Sequence, residues 1–266
     1  MLNIGKSFSS SKSGLGRTVF LRSFFLETLW NYPRMQNIGF THCIYPALKA
    51  FIKKEEKFEE ALKRQLESAN THPTMGPMLA GIVTRLETDH KVSNLSLYRR
   101  RIMTTLAAQG DHIFWGNIKP LAAAFGVLGL LCFPNSFVGP IMTFLVYNIP
   151  NIYIRAFGFD WGYNEGVSAL ERFKIQKTDK TLVYVRSALS LCLGIITGLV
   201  FWQCYQDIYG LYGATSAKLS IFILFVSGLV AFLLIRSGFT LGRVALPVAL
   251  AAISIFLISK NWIGIW

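Results

Sequence analysis

Residues 104–120, TTLAAQGDHIFWGNIKP, gather the side chains of this chain best suited to hold a polar ligand. The Asp111 carboxylate accepts strongly and the Asn117 amide both donates and accepts, as sugar hydroxyls require. Trp115 adds an aromatic face against which the C–H side of a pyranose could stack. The segment stands immediately before a long apolar stretch. A charged or amide group at membrane depth is costly unless it is paired or faces a wet cavity, so these residues are functional candidates. The same residues admit a structural reading, with Asp111 capping a helix and Trp115 anchoring at an interface.

A second polar cluster is Asn70-Thr71-His72-Pro73-Thr74-Met75-Gly76-Pro77. Polar residues before a proline predict a helix start with its cap and turn. His72 could instead supply a hydrogen bond or a proton, and Asn70 an orienting amide. No H-E-x-x-H, Walker loop, G-x-S-x-G or paired Cys–His spacing is present, so no catalytic residue, metal or cofactor is expected. Cys43, Cys132, Cys192 and Cys204 show no C-x-x-C spacing and read as four small buried hydrophobes.

The elements that must position these residues are unusually apolar. Only 15% of the 266 residues are charged against 52% hydrophobic, with a mean hydropathy of +0.42. Ordinary domains carry roughly 25% charge, so neither a disordered chain nor an ordinary soluble domain fits. Lys+Arg of 27 against Asp+Glu of 14 leaves +13, which would suit nucleic acid or the cytoplasmic side of a membrane. The basic residues flank apolar runs and no recognition module is visible, which excludes nucleic acid and points to a lipid membrane.

Residues 1–16 read as a flexible tail without a secretory leader. Residues 17–118 read as a cytoplasmic-side region of amphipathic helices. Its run TVFLRSFFLETLW is either interfacial, with Arg17 and Arg22 at the headgroups, or core-facing. Residues 55–69 place Phe58, Ala61, Leu62, Leu66 and Ala69 on one helical face, opposite Glu59–Lys63 and Glu60–Arg64 pairs. The apolar runs 121–133 and 137–149 are each shorter than the roughly 20 residues of a spanning helix. Pro134-Asn135-Ser136 separates them, which predicts a re-entrant hairpin over 119–150. A loop over 151–186, basic through Arg155, Arg172, Lys174, Lys177, Lys180 and Arg186, then precedes candidate spans at 187–204, 219–235 and 244–259.

The positive-inside rule puts this loop and the Arg99–Arg101 cluster in the cytoplasm, with the N-terminus inside and the C-terminus outside. Ser190, Gly194 and Gly198 form a small-xxx-small face that predicts close packing against another helix. The fold expected is therefore an all-α integral membrane protein. It has peripheral amphipathic helices, a re-entrant hairpin and about three C-terminal transmembrane helices.

Four motifs in order carry a family resemblance. They are Arg34-Met35-Gln36-Asn37-Ile38-Gly39-Phe40, Tyr45-Pro46-Ala47-Leu48-Lys49, Asn70-Thr71-His72-Pro73 and Gly110-Asp111-x-x-Phe114-Trp115-Gly116-x-x-Lys119-Pro120. On this hydropathy profile the set resembles the enzyme IID subunit of the mannose/fructose/sorbose phosphotransferase systems (PTS) of bacteria. The resemblance implies a multi-pass subunit of the bacterial inner membrane that forms a sugar passage with a IIC partner in a hetero-oligomer. IIA and IIB proteins would relay the phosphoryl group to the arriving hexose, and this chain would carry no phosphohistidine. His112 stands where the family commonly has a proline. That departure leaves one alternative within the resemblance, a IID-like scaffold or regulatory subunit that carries no sugar.

Overall fold

A computed structural model describes residues 14–89, 94–174 and 177–200, together with 202, 203 and 206. The chain divides into two compact units, Met1–Ile196 and Thr197–Trp266, and the described residues of the second are all helical. The expected spans at 219–235 and 244–259, the C-terminal end, Cys204 and nearly all of the expected tail lie outside the described residues.

The first unit opens with α1 (Leu15–Ser23) and α2 (Asn37–Phe51). Pro46 lies inside α2 and has no N–H for the carbonyl one turn before it. The Arg22 guanidinium supplies the missing donor, bonding His42 O at 3.1 Å. Arg22 therefore mends a helix instead of standing free for a headgroup. α1 is shorter than the aromatic run that predicts it: Val19 and Leu26 are fully buried, while Phe24, Phe25 and Trp30 are more than half exposed.

Helix α3 (Glu55–Gln65) has Glu55 and Glu56 in its first turn and Lys63 and Arg64 in its last, matching the helix dipole. The Glu59–Lys63 and Glu60–Arg64 pairs form at 3.9 Å each. The helix stops at Gln65, so Leu66 is left exposed and Ala69 reaches the interior from the following loop.

A 3-10 turn (Pro73–Met75) leads into α4 (Gly76–Asp89), the central helix, buried on every side from Gly76 to Thr84. It crosses α7 (Val138–Glu165) at Gly81 and Gly162. A Cβ on Gly162 would overlap Met78 O, and one on Gly81 would overlap Phe159 O, so two backbones touch where two glycines meet.

α5 (Leu95–Gly110), a π-helical segment (Asp111–Ile118) and α6 (Lys119–Cys132) form one unbroken 38-residue helix. The chain reverses over residues 133–137, where Pro134-Asn135-Ser136 predicts a turn and Asn135 takes φ 63°. α7 then returns antiparallel to α6, with Gly126 and Gly129 against Gly139. The outer face of this hairpin is apolar and open, with Phe137 81%, Phe144 63% and Ile149 64% exposed.

Residues 151–186 are largely not a loop. α7 continues through Pro150 to Glu165, a 3-10 turn covers Gly166–Arg172, and α8 (Lys177–Val200) starts ten residues before the expected span. Charge patterning read this stretch as a surface, but Arg155 is only 7% exposed and packs inside the bundle. Arg99, expected in a cytoplasmic basic cluster, is 2% exposed. Cys43 and Cys192 are buried as expected, whereas Cys132 is exposed on the hairpin. By length and composition, the continuous helix Leu95–Cys132 and α8 are each apolar enough to cross a membrane. Among the described residues there is no strand.

Candidate functional site

The Asn70–Pro77 cluster is held from below by the first residues of the Arg34–Phe40 motif. Met35 takes φ 55°, which turns the chain so that Gln36 N–H reaches Ala69 O at 2.8 Å. The Gln36 amide then clamps the next residue but one: Oε1 accepts from Thr71 N at 2.8 Å and Nε2 donates to Thr71 O at 3.0 Å. Asn37 Nδ2 donates to Leu66 O at 2.9 Å. Three residues of one motif thereby fix the path of residues 66–71. His72 follows with its Nδ1 accepting from Thr74 N at 3.3 Å, so it caps the helix start that Pro73 predicts.

The Asp111–Asn117 cluster lies in the π-helical segment, and Pro120 is a local reason for that winding. Proline has no N–H and its ring collides with the carbonyl four residues back, so an α-helical register would strain at Gly116. In the wider winding Lys119 N–H bonds Phe114 O, five residues back. Asn117 Nδ2 donates to His112 O at 2.7 Å, again across five residues. Ile113, Phe114 and Asn117 turn inward, while Asp111, Trp115 and Gly116 face outward. Asp111 is thus mid-helix and does not cap a free helix end. π-helical turns are rare and concentrate at functional sites.

The two clusters meet. The His72 ring stacks on Phe114 at 5.0 Å between centroids and 15° between planes, and stands edge-on to Trp115 at 6.2 Å. Gly110 makes this possible, because a Cβ there would overlap His72 Cβ. Phe114 meets Tyr147 of α7 at 6.1 Å. Trp115 is 51% exposed, and the Lys119 ammonium lies over its ring at 3.8 Å. Of the two ring faces offered by the sequence, the lysine takes one.

His72 and Trp115 are therefore neighbours, while Asn117 is buried and tied to His112 O within the π-helical segment and Asp111 is exposed on it. Asn70 is exposed and its N–H points at Met103 Sδ, 3.0 Å away. His112 reaches a different element, with Nε2 3.1 Å from Asp179 Oδ1 of α8. Ser190, Gly194 and Gly198 lie on α8 far along the chain from these residues. Ser190 Oγ donates to Arg186 O at 3.0 Å, and a Cβ on either glycine would meet nothing within 4 Å.

Burial, with a smaller contribution from the Arg155 guanidinium, lowers the His72 pKa to about 4, so the ring is neutral at pH 7. Its Nδ1 already accepts a hydrogen bond, which assigns the ring proton to Nε2. Arg155 itself is fixed by Asn151 Oδ1 at 2.8 Å and by Ser23 O at 2.8 Å, above the Phe24 ring. Neither Gln36 nor Arg155 stands out as a site residue in the sequence. The Gln36 signal was present in the 34–40 motif, but a lone arginine on an apolar helix carries no such sign.

Comparison with known proteins covers this whole region. The chain is 30% identical over 165 residues to the mannose-specific EIID component of the PTS of Escherichia coli K12, covering 58% of this chain and 56% of that protein. It is 31% identical over 161 residues to the fructose permease IID component of Bacillus subtilis, 58% of each chain. It is 27% identical over 158 residues to a sorbose-specific EIID component from Lacticaseibacillus casei, 57% of this chain and 55% of that one. The matched stretch spans just over half the length of these relatives.

Two solved structures share the fold. One is a cryo-EM structure of the mannose transporter ManYZ with microcin E492 (TM-score 0.53, 21% identity, 92% of this chain and 96% of that one). The other is described as a membrane protein (TM-score 0.62, 22% identity, with the same coverage). The model of the PTS mannose/fructose/sorbose family IID component matches residues 12–204, and this chain, a membrane-associated protein, belongs to that family.

Proposed function

We propose that this chain is the IID membrane subunit of a mannose-family PTS permease and forms a hexose passage with a IIC subunit. IIB, charged by IIA, would phosphorylate the sugar as it reaches the cytoplasmic face. The observation that carries this reading is the meeting of the two polar clusters at a π-helical segment, inside the stretch matched to the family. Asp111 accepts a sugar hydroxyl, Trp115 stacks through its face away from Lys119, and Asn117, Asn70 and His72 orient the ring. Mannose, fructose and sorbose are the candidate substrates, after the names of the relatives.

In the same reading α6 and α7 enter and leave the membrane from the cytoplasmic side, their exposed phenylalanines against lipid or IIC. α8 is the first full span, and its Ser190–Gly194–Gly198 face packs on a helix. The N-terminus is cytoplasmic and the C-terminus outside. The non-transporting scaffold rests on the His112 departure alone and is not favoured.

The test is sugar uptake by cells carrying Asp111→Ala or Trp115→Ala variants that still assemble in the membrane. Each should weaken apparent affinity about tenfold or more, the worth of one charged hydrogen bond or one stacked ring. Uptake with unchanged affinity in both would overturn the assignment.

A further inference from the structure

Among the described residues, five buried side-chain atoms make no hydrogen bond: Thr71 Oγ1, His72 Nε2, Thr74 Oγ1, Gln109 Oε1 and Asn117 Oδ1. All five residues are at least 95% buried. They fall on just two segments, 71–74 and 109–117, which pack on each other through His72, Gly110 and Phe114. Buried polar groups are nearly always paired, so five orphans on one pair of segments need a physical cause.

Their chemistry is specific. His72 Nε2 carries the ring proton and can only donate. Gln109 Oε1 and Asn117 Oδ1 can only accept. The Thr71 and Thr74 hydroxyls do either. A partner must therefore present donors and acceptors side by side, which is what successive hydroxyls on a sugar ring do. None of the five groups is charged at pH 7, so the set suits a neutral polyol better than a phosphate or a cation.

We infer that Thr71, Thr74 and Gln109 are further ligands of the translocated sugar, completing with His72 and Asn117 a polar seam for its hydroxyls. This rests on the sugar-passage reading above and adds three residues to it, along with a preference for the unphosphorylated sugar. The five atoms are closed to solvent here, so a sugar reaches them only when segments 71–74 and 109–117 shift against their neighbours, Leu170 O beside Gln109 included. Each unpaired atom destabilises the closed form and so favours that opening.

Isosteric variants should change stability and affinity together. Thr71→Val and Thr74→Val remove an orphan hydroxyl while keeping the shape, so each should raise the thermal midpoint of the chain purified with its IIC subunit. Each should also weaken binding of mannose, fructose or sorbose, whichever the wild type binds, by about three- to tenfold. Thr74→Ser keeps the hydroxyl and should restore affinity. Thr84→Val is the control, since the buried Thr84 Oγ1 already bonds Ala80 O at 2.7 Å; it should leave affinity unchanged and should not raise the midpoint.

Thr→Val variants with unchanged affinity, or with lowered midpoints, overturn the seam. If Asp111→Ala still weakens binding in that case, the sugar passage stands and only the seam falls. If the wild-type pair binds none of the three sugars, both readings fall.

Discussion

Two of the polar interiors among the described residues are built in opposite ways. Beneath α3, α4 and α5, Arg99 donates to Gln65 Oε1 at 2.9 Å, Gln65 O at 3.3 Å and Ser68 O at 3.2 Å. Gln65 Nε2 passes the network on to Glu87 at 3.0 Å, and Glu87 receives Arg64 through two bonds of 3.0 and 2.6 Å. Three charges are accommodated there and none of their polar atoms is left unpaired. The buried side chains of segments 71–74 and 109–117 carry no charge at pH 7, yet five of their atoms are unpaired. Low local dielectric raises the stakes in both places: it strengthens a completed network and penalises a broken one. A completed network fixes three helices in one arrangement. An incomplete one is the place where a second arrangement, or a ligand, gains most.

The largest expected effect tests the completed side. Arg99→Ala removes a fully packed side chain and orphans Gln65 Oε1, so it should cost about 3–5 kcal/mol, read as a lowered denaturation midpoint in detergent. A loss under about 1 kcal/mol would mean that the network is solvated and the contrast is false. Next comes acid. The folded His72 has its pKa lowered to about 4 from an unfolded value near 6.5, so the unfolded chain binds its proton first. Stability is then full above about pH 6.5, falls as pH drops toward 4, and loses nothing more from this group below that. The loss should be on the order of 2–3 kcal/mol. His72→Asn keeps an acceptor for Thr74 N–H and should flatten this slope; an unchanged slope would assign the acid sensitivity elsewhere.

Sequence patterning reached the parts of this molecule whose cause is local. The helix start at Pro73, the reversal at Pro134-Asn135 and the i,i+4 pairs of α3 each follow from neighbouring residues alone. So does the meeting of aromatic and polar types at residues 110–120. Charge was the misleading signal: Arg99 looks like its exposed neighbours Arg100 and Arg101, and only tertiary partners reveal it and Arg155 as buried. Reading residues 151–186 as a basic loop failed for that reason. The π-helical winding was also out of reach, because it depends on how Pro120 is relieved, and proline more often ends a helix than widens one. The orphaned atoms are invisible by nature, since an unmade bond leaves no pattern in residue types.

The smallest effects come from two glycines of one motif, and they separate its inner face from its outer one. Gly110→Ala drives a methyl into His72, where overpacking should cost about 1–3 kcal/mol and displace the ring from Phe114. Gly116→Ala points outward, where the nearest atom, Asp111 O, lies at an ordinary 3.8 Å. In a helix that exchange should stabilise by about 0.5–1 kcal/mol, measured as a raised thermal midpoint. A raised midpoint with normal uptake would make Gly116 a passive member of the motif. A raised midpoint with lost uptake would mean that something outside this chain, sugar or IIC backbone, comes close enough to the exposed face to need the missing side chain. The outward half of the motif would then be functional for its emptiness, as the inward half is for its unpaired atoms.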